Sequence, residues 1–243
     1  KHVTYIKHFP ISIAFTGAPT PSNELTSFEL NNIEFKEKLG VKTKFMGVGV
    51  DRLDYTKGIL ERLKGIEILL SQHPSYIGNF TFVQLAAPSR TSVKEYEEFG
   101  IHVKSEIDRI NDVFKKNGWK PILYINEHRE HEFINSLYKA SDFCLVTSLH
   151  DGMNLVAKEF IASRIDNKGV LLLSQFTGAA SELRGAIILN PYNGEETAES
   201  IHTALTMPIA DQEKRMKRLR DTVKNYNVYR WSAEIIKSVI DLG

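Results

Sequence analysis

The chain has 243 residues, with 31 Lys plus Arg against 30 Asp plus Glu, 42% hydrophobic and 25% charged residues, an ordinary globular composition that sets aside disordered, collagen-like and mucin-like classes. A formal charge of +1 without a long Lys/Arg run argues against nucleic acid held by bulk electrostatics and leaves only a local phosphate site open. A lone cysteine, Cys144, excludes an intrachain disulfide framework and a multi-cysteine zinc site, and no run approaches the ~18 consecutive apolar residues of a membrane span, so a cytoplasmic chain with no membrane contact is expected.

The opening KHVTYIKHFPISI reads as a strand already under way, which suggests a piece of a longer chain. Residues 14–32, with prolines and several Ser, Thr and Asn, read as a loop, so residues 1–43 form an opening segment of strand and loop. From Lys44 onward short β-rich runs alternate with helical patterns, the signature of stacked βαβ units. The strands are expected at Lys44–Val50, Phe80–Ala87, Pro121–Asn126, Asp142–Ser148, Gly169–Gln175 and Ala186–Pro191. These runs are apolar throughout rather than alternating, as strands covered on both faces must be. Between them, Ile59, Leu63, Ile66 and Leu70, and then Phe133, Leu137 and Ala140, recur at helical spacing. The expected fold is therefore α/β: a Rossmann-like parallel sheet of about six strands with helices on both faces, spanning 44–206 and followed by C-terminal helices over 207–243.

In such a sheet ligands bind beyond the carboxyl ends of the strands. Arg52 and Lys57 follow the first run, with Gly58 permitting close backbone approach. A guanidinium clamps two phosphate oxygens and an ammonium adds a point charge, so the pair suits a diphosphate. It equally suits two surface cations paired with Asp51 or Asp54. GVGVDR half-matches a dinucleotide fingerprint, but Arg52 stands at the third glycine position, which weakens a dehydrogenase reading. In HDGMNLVAKEFIAS, Asp151 and Gly152 form a turn, and the helix behind it offers free N–H groups at Asn154, Leu155 and Val156 to an anion. Glu159 projects into the apolar face of that helix, roughly 7.5 Å along the axis from Asn154. A carboxylate there takes either a neighbouring Lys or Arg or the two hydroxyls of a ribose. His128 and Arg90 alone read as ordinary turn and solvated residues, Asp108 and Asp112 lack the third ligand of a metal site, Trp119 and Trp231 read as packing residues, and Cys144 as a small buried hydrophobe.

Together GVDRLDYTKGI, QLAAPSR, WKPILYINEH, LVTSLHDGMNLVAKEFIAS and GVLLLSQFTGAASEL, in this order from about Lys44 to Pro191, resemble the trehalose-6-phosphate synthase family of retaining GT-B glycosyltransferases, and specifically its C-terminal, donor-binding lobe. The resemblance implies that Arg52 and Lys57 hold the donor diphosphate with the backbone of Leu155 and Val156, that Glu159 takes the ribose, and that Asp151, Gly152, Met153 and Asn154 contact the donor glucose. It implies a nucleobase received at His128 and Arg129 largely through backbone groups, and Arg90 reaching the phosphate of glucose 6-phosphate. Arg52, Lys57 and Asp151 are then the catalytic candidates, with no metal and no cofactor.

The family usually has Arg at His150, Gly at Asp112 and a PIGID-like run at Pro10–Ile13, so donor-sugar geometry or pH response is open at His150. The implied activity is glucosyl transfer, with retention, from a nucleoside diphosphate glucose, UDP-glucose foremost, to glucose 6-phosphate. An N-terminal acceptor lobe is missing, so this chain alone is expected to be inactive. Two other readings stay open: a stand-alone nucleotide-binding module, and a related synthase acting on another acceptor such as glycerol 3-phosphate. The base of the donor and the oligomeric state leave no trace in the side chains.

Overall fold

The computed structural model describes residues 4, 6–15, 22–89 and 93–241. Six strands, β1 (Phe45–Arg52), β2 (Phe80–Ala87), β3 (Ile122–Ile125), β4 (Phe143–Val146), β5 (Val170–Ser174) and β6 (Ile187–Leu189), form a sheet in the order β3-β2-β1-β4-β5-β6. Every pairing is parallel. The helices are α1 (Ser22–Lys38), α2 (Ile59–Gln72), α3 (Lys94–Phe114), α4 (His131–Ala140), α5 (Leu155–Ser163), α6 (Gly194–Thr206), α7 (Ile209–Asn225) and α8 (Val228–Ile240).

Successive strand side chains point to opposite faces, so an apolar run feeds two cores at once. Met46, Val48, Val50, Val83, Leu85, Cys144, Val146, Leu171 and Leu173 join one buried cluster with residues of α4, α5 and α7. Phe80, Phe82, Phe143, Leu145, Val170 and Leu172 join the other with residues of α2, α3 and α6. The six expected strands and the α/β class are thus observed. Because Met216, Leu219 and Val223 lie in the first cluster, α7 shares the core of the sheet, whereas α8 buries no side chain in it. Among the described residues no helix is long and apolar enough to cross a membrane.

Two parts of the opening segment differ from expectation. Residues 22–32, read as loop, begin α1. Their polar composition hides a packing face: Phe28 is buried, Phe35 meets Phe133 of α4 edge-on at 5.4 Å, and the Asn32 amide donates to the Lys139 carbonyl at 3.0 Å. Tertiary contact of this kind, rather than propensity, is what holds most protein helices. The opening run is no strand over residues 6–15. Its carbonyls are satisfied by helices instead: Phe9 by the Trp231 indole (3.0 Å), Ile11 by the Lys158 ammonium (3.0 Å) and Ile13 by the Val228 N–H (3.0 Å).

The order of connection reverses between β1 and β4, the switch point at which such sheets open a crevice. These two strands pair at Gly47–Phe143 and Val48–Cys144, and β1 then runs on to Arg52 beside β2. Asp51 and Arg52, expected in the following turn, are therefore the last rungs of the β1–β2 ladder, opposite Ala86 and Ala87.

Candidate active site

A crevice of about 550 Å³ opens at this point, and its wall holds Arg52, Lys57, His128, Arg129, Asp151, Met153, Asn154, Leu155, Val156 and Glu159. Gly152 stands beside it, in an adjoining cleft that shares Met153. Arg90 lies outside the described residues. Residues scattered over more than a hundred positions thus converge on one cavity, because they sit at the carboxyl ends of neighbouring strands or on the turns and helix start that follow them.

Lys57 ends a single 3₁₀ turn, Tyr55–Lys57, which Asp54 caps by accepting from the Thr56 N–H (2.9 Å) and the Thr56 hydroxyl (2.7 Å). Gly58 then takes a left-handed conformation (φ 62°), and a Cβ there would overlap the Thr147 carbonyl oxygen, so only glycine lets the turn close against β4's end. Lys57 Nζ donates to Asp151 Oδ2 at 2.7 Å, with both side chains 16% exposed. Of the surface-pair alternatives, Asp54 makes a long contact to Arg52 (3.9 Å), whose side chain stays 58% exposed. Burial pushes the Asp151 carboxyl up, but the Lys57 ammonium, the Asn154 amide and the Met153 N–H outweigh it and hold the group below the usual carboxylate range.

Asn154 caps α5 from φ 86°, a conformation costly for a residue with a Cβ. Both ends of its amide hold it there: Oδ1 accepts the Ala157 N–H (2.9 Å) and Nδ2 donates to Asp151 Oδ2 (3.2 Å). The cap serves Ala157 and leaves the N–H groups of Leu155 and Val156, the first of the helix, without an intrahelical partner. They stand at the positive end of the helix dipole, on the crevice. Glu159, one turn further, is partly buried and accepts from the Tyr138 hydroxyl at 3.3 Å. Burial raises its carboxyl above the usual range, more than His131 and the Tyr138 bond lower it. No Lys or Arg pairs with Glu159 among the described residues, so its acceptor capacity faces the cavity. His128 and Arg129 are exposed at the mouth, where Arg129 pairs with Glu127 and lies 4.6 Å from the Phe133 ring centroid.

The sequence profile of glycosyltransferase family 20 matches residues 1–241. The chain belongs to glycosyltransferase family 20. Similar curated proteins include the UDP-forming alpha,alpha-trehalose-phosphate synthase A of Dictyostelium discoideum, 37% identical over 95% of this chain and 31% of that protein. Another is the UDP-forming synthase of Botryotinia fuckeliana, 38% identical over 98% of this chain and 45% of that one. Among solved structures, the Burkholderia xenovorans synthase in complex with glucose-6-phosphate superposes with a TM-score of 0.84 at 33% identity, over 95% of this chain and 50% of the other. The E. coli trehalose-6-phosphate structure bound with UDP-2-fluoro glucose gives 0.82 at 35%, again over 95% and 50%. The chain spans about half the length of these solved relatives, and the fold is that of their GT-B α/β domain.

Some members of this family 20 site escape sequence reasoning. Asp51 lines the crevice, and beneath it Arg62, Gln84 and Thr147 form a fully buried polar cluster. The signal was present: Arg62 occupies a core position of the α2 stripe defined by Ile59, Leu63 and Ile66, and Gln84 interrupts an apolar strand. Lys158, in the same helix as Glu159, is also buried and pairs with Glu182 at 2.9 Å. The weaker candidates have ordinary surroundings. Asp108 and Asp112 pair with Lys104 and Lys115 on and just beyond α3. Trp119 Nε1 donates to the Phe80 carbonyl (3.1 Å), and burial pushes the Cys144 thiol well up. His150 is exposed beside Asp151.

Proposed function

We propose that this chain is the donor-binding half of a cytoplasmic retaining glucosyltransferase that moves glucose from UDP-glucose to glucose 6-phosphate, forming trehalose 6-phosphate. One observation carries the reading: two cations, the free Leu155 and Val156 N–H groups of a helix start and an inward-facing carboxylate meet in one crevice at the switch point. Arg52 and Lys57 grip the diphosphate together with the Leu155 and Val156 N–H groups, and Glu159 accepts from the ribose hydroxyls. The base enters at His128 and Arg129, and Asp151 with Gly152, Met153 and Asn154 meets the glucose. The relatives with bound glucose-6-phosphate and UDP-2-fluoro glucose support this choice of substrates. An acceptor lobe, supplied by the part of those proteins that this chain does not span, completes the cleft, with Arg90 reaching the acceptor phosphate.

In the reaction the anomeric oxygen of glucose 6-phosphate bonds to C1 of the donor on the face that UDP leaves. The C1–O bond to the diphosphate breaks, and a departing phosphate oxygen takes the acceptor's proton. Negative charge grows on the leaving group, so fixed cations and helix N–H groups act where the charge develops, and no metal is required in this reading. A carboxylate nucleophile, the usual device of retaining hydrolases, has no place in it.

A second reading is a nucleotide-binding module inert by itself. Titrating UDP and assaying transfer on the same sample separates the two. A screen of uridine, guanosine and adenosine diphosphate glucoses against glucose 6-phosphate and glycerol 3-phosphate, on the longest natural form of the chain, tests the substrates. Turnover with UDP-glucose and glucose 6-phosphate is expected. Turnover confined to glycerol 3-phosphate would reassign the acceptor.

A further inference from the structure

A long cationic side chain in a protein core requires a counter-charge and hydrogen bonds for its donors. Arg62 of α2 is completely buried, and it meets most of that demand against Asp51 of the crevice wall. Nη1 donates to Asp51 Oδ2 (2.5 Å) and Gln84 Oε1 (2.7 Å), Nε donates to Thr147 Oγ1 (3.1 Å), and Nη2 is buried with no partner. The space exists because residue 49 is glycine: a Cβ there would overlap Nη1, so the guanidinium lies against the β1 backbone. Gln84 is held in turn through Nε2 to the Leu85 carbonyl at 3.1 Å. Thr147, having accepted from Arg62, donates to the Gly58 carbonyl at 2.8 Å. The chain of bonds therefore ends on the left-handed residue that follows Lys57.

We infer that Arg62, which does not line the crevice, is a positioning residue for donor binding: it neutralises Asp51 in the crevice wall and, through Thr147, fixes the turn that aims Lys57. The inference rests on the reading of the crevice as a diphosphate site. Asp51 adjoins Arg52 in sequence and lines the cavity, so its full negative charge, left uncompensated, opposes an incoming anion in a poorly screened setting. The other ionisable groups around it do not replace Arg62. Lys57 is already paired with Asp151; Glu159 of α5 is an acid; Tyr138 of α4 and Cys144 of β4 are neutral and held so by burial; Arg52, His128 and Arg129 are exposed. Among the described residues, Arg62 is the cation that pairs with Asp51.

The test is calorimetric titration of UDP into this chain and its variants between about pH 5.5 and about pH 8, with circular dichroism to verify folding. Arg62→Met weakens UDP binding on the order of tenfold at the upper end. The deficit relative to the parent shrinks as pH falls, because an unpaired buried carboxylate takes up a proton and ceases to repel the ligand. Asp51→Asn with Arg62→Met recovers most of the loss, Arg62→Lys falls between parent and R62M, and Asp51→Asn alone strengthens binding. A purely structural role moves neither the pH profile nor the double-variant rescue. A folded R62M that binds UDP like the parent at every pH overturns the inference, as does a double variant no better than R62M. Should R62M not fold, weaker binding by D51N overturns it equally. A parent chain that binds no UDP at all overturns the crevice reading itself, a result distinct from an unchanged R62M.

Discussion

The charged residues of α3 and those around the crevice are of the same types and behave differently. On α3 the partners are mostly near in sequence and exposed: Lys104 with Asp108, Arg109 with Glu106, and Lys115 with Asp112 just past its end. Around the crevice and the cleft beside it they join different elements and are shielded: Lys57 with Asp151, Arg62 with Asp51, and Lys158 with Glu182. Exposed pairs separated by one turn contribute little, since water and salt screen them and ordering the side chains costs entropy. Shielded pairs between elements have desolvated both partners, so they are retained for what they position and are costly to break.

The largest separation between the two regions is expected on activity. In the longest natural form of the chain, Lys57→Ala lowers turnover by roughly 10²- to 10³-fold, as loss of a group aimed at developing charge does, while UDP affinity falls less. Steady-state kinetics beside UDP titration measures both, and unchanged turnover removes Lys57 from the mechanism. Next is stability. Lys158→Met strands Glu182 and the Ile11 carbonyl and costs roughly 2–3 kcal/mol in urea unfolding, below the range for a fully buried pair because Glu182 keeps some contact with water.

Glu159→Gln sharpens the comparison within the crevice. It reduces the preference for UDP over 2′-deoxy-UDP by about 1–2 kcal/mol, less than the ~1.5–3 kcal/mol of a hydrogen bond to a charged group because the Gln amide oxygen still accepts. Equal preference in parent and variant would remove Glu159 from the ribose. The pH dependence of unfolding is a smaller effect with a defined sign. The Asp151 carboxyl sits below its usual range when folded, so its contribution is complete above the unfolded carboxylate range and disappears as pH falls through the folded value. The parent therefore loses more stability on acidification than Asp151→Asn. Smallest of all, Asp108→Asn and Asp112→Asn on α3 change stability by less than about 0.5 kcal/mol.

The same contrast explains what could be read from the chain of letters. The strands were legible because each is an apolar run that fills two cores, Lys57 and Asp151 because they fall just beyond such runs, and Glu159 because a carboxylate interrupts the apolar face of α5. α1 was not, since Phe35 meets Phe133 and Phe28 meets Arg164, both remote in sequence, and its own composition resembles a loop. Nor was the opening segment, whose backbone is satisfied by Lys158, Val228 and Trp231 rather than by a neighbouring strand. Arg62 was visible as a cation in an apolar stripe, but its partners Asp51, Gln84 and Thr147 sit on three different strands or strand ends, and only the folded sheet brings them together.

The central claim, that one crevice grips a nucleoside diphosphate, is tested most directly by a crystal structure of this chain with UDP. The account predicts the diphosphate within hydrogen-bonding reach of Arg52, Lys57 and the N–H groups of Leu155 and Val156, with the ribose on Glu159. A fully occupied UDP bound elsewhere, or one whose phosphates avoid those four groups, would contradict it.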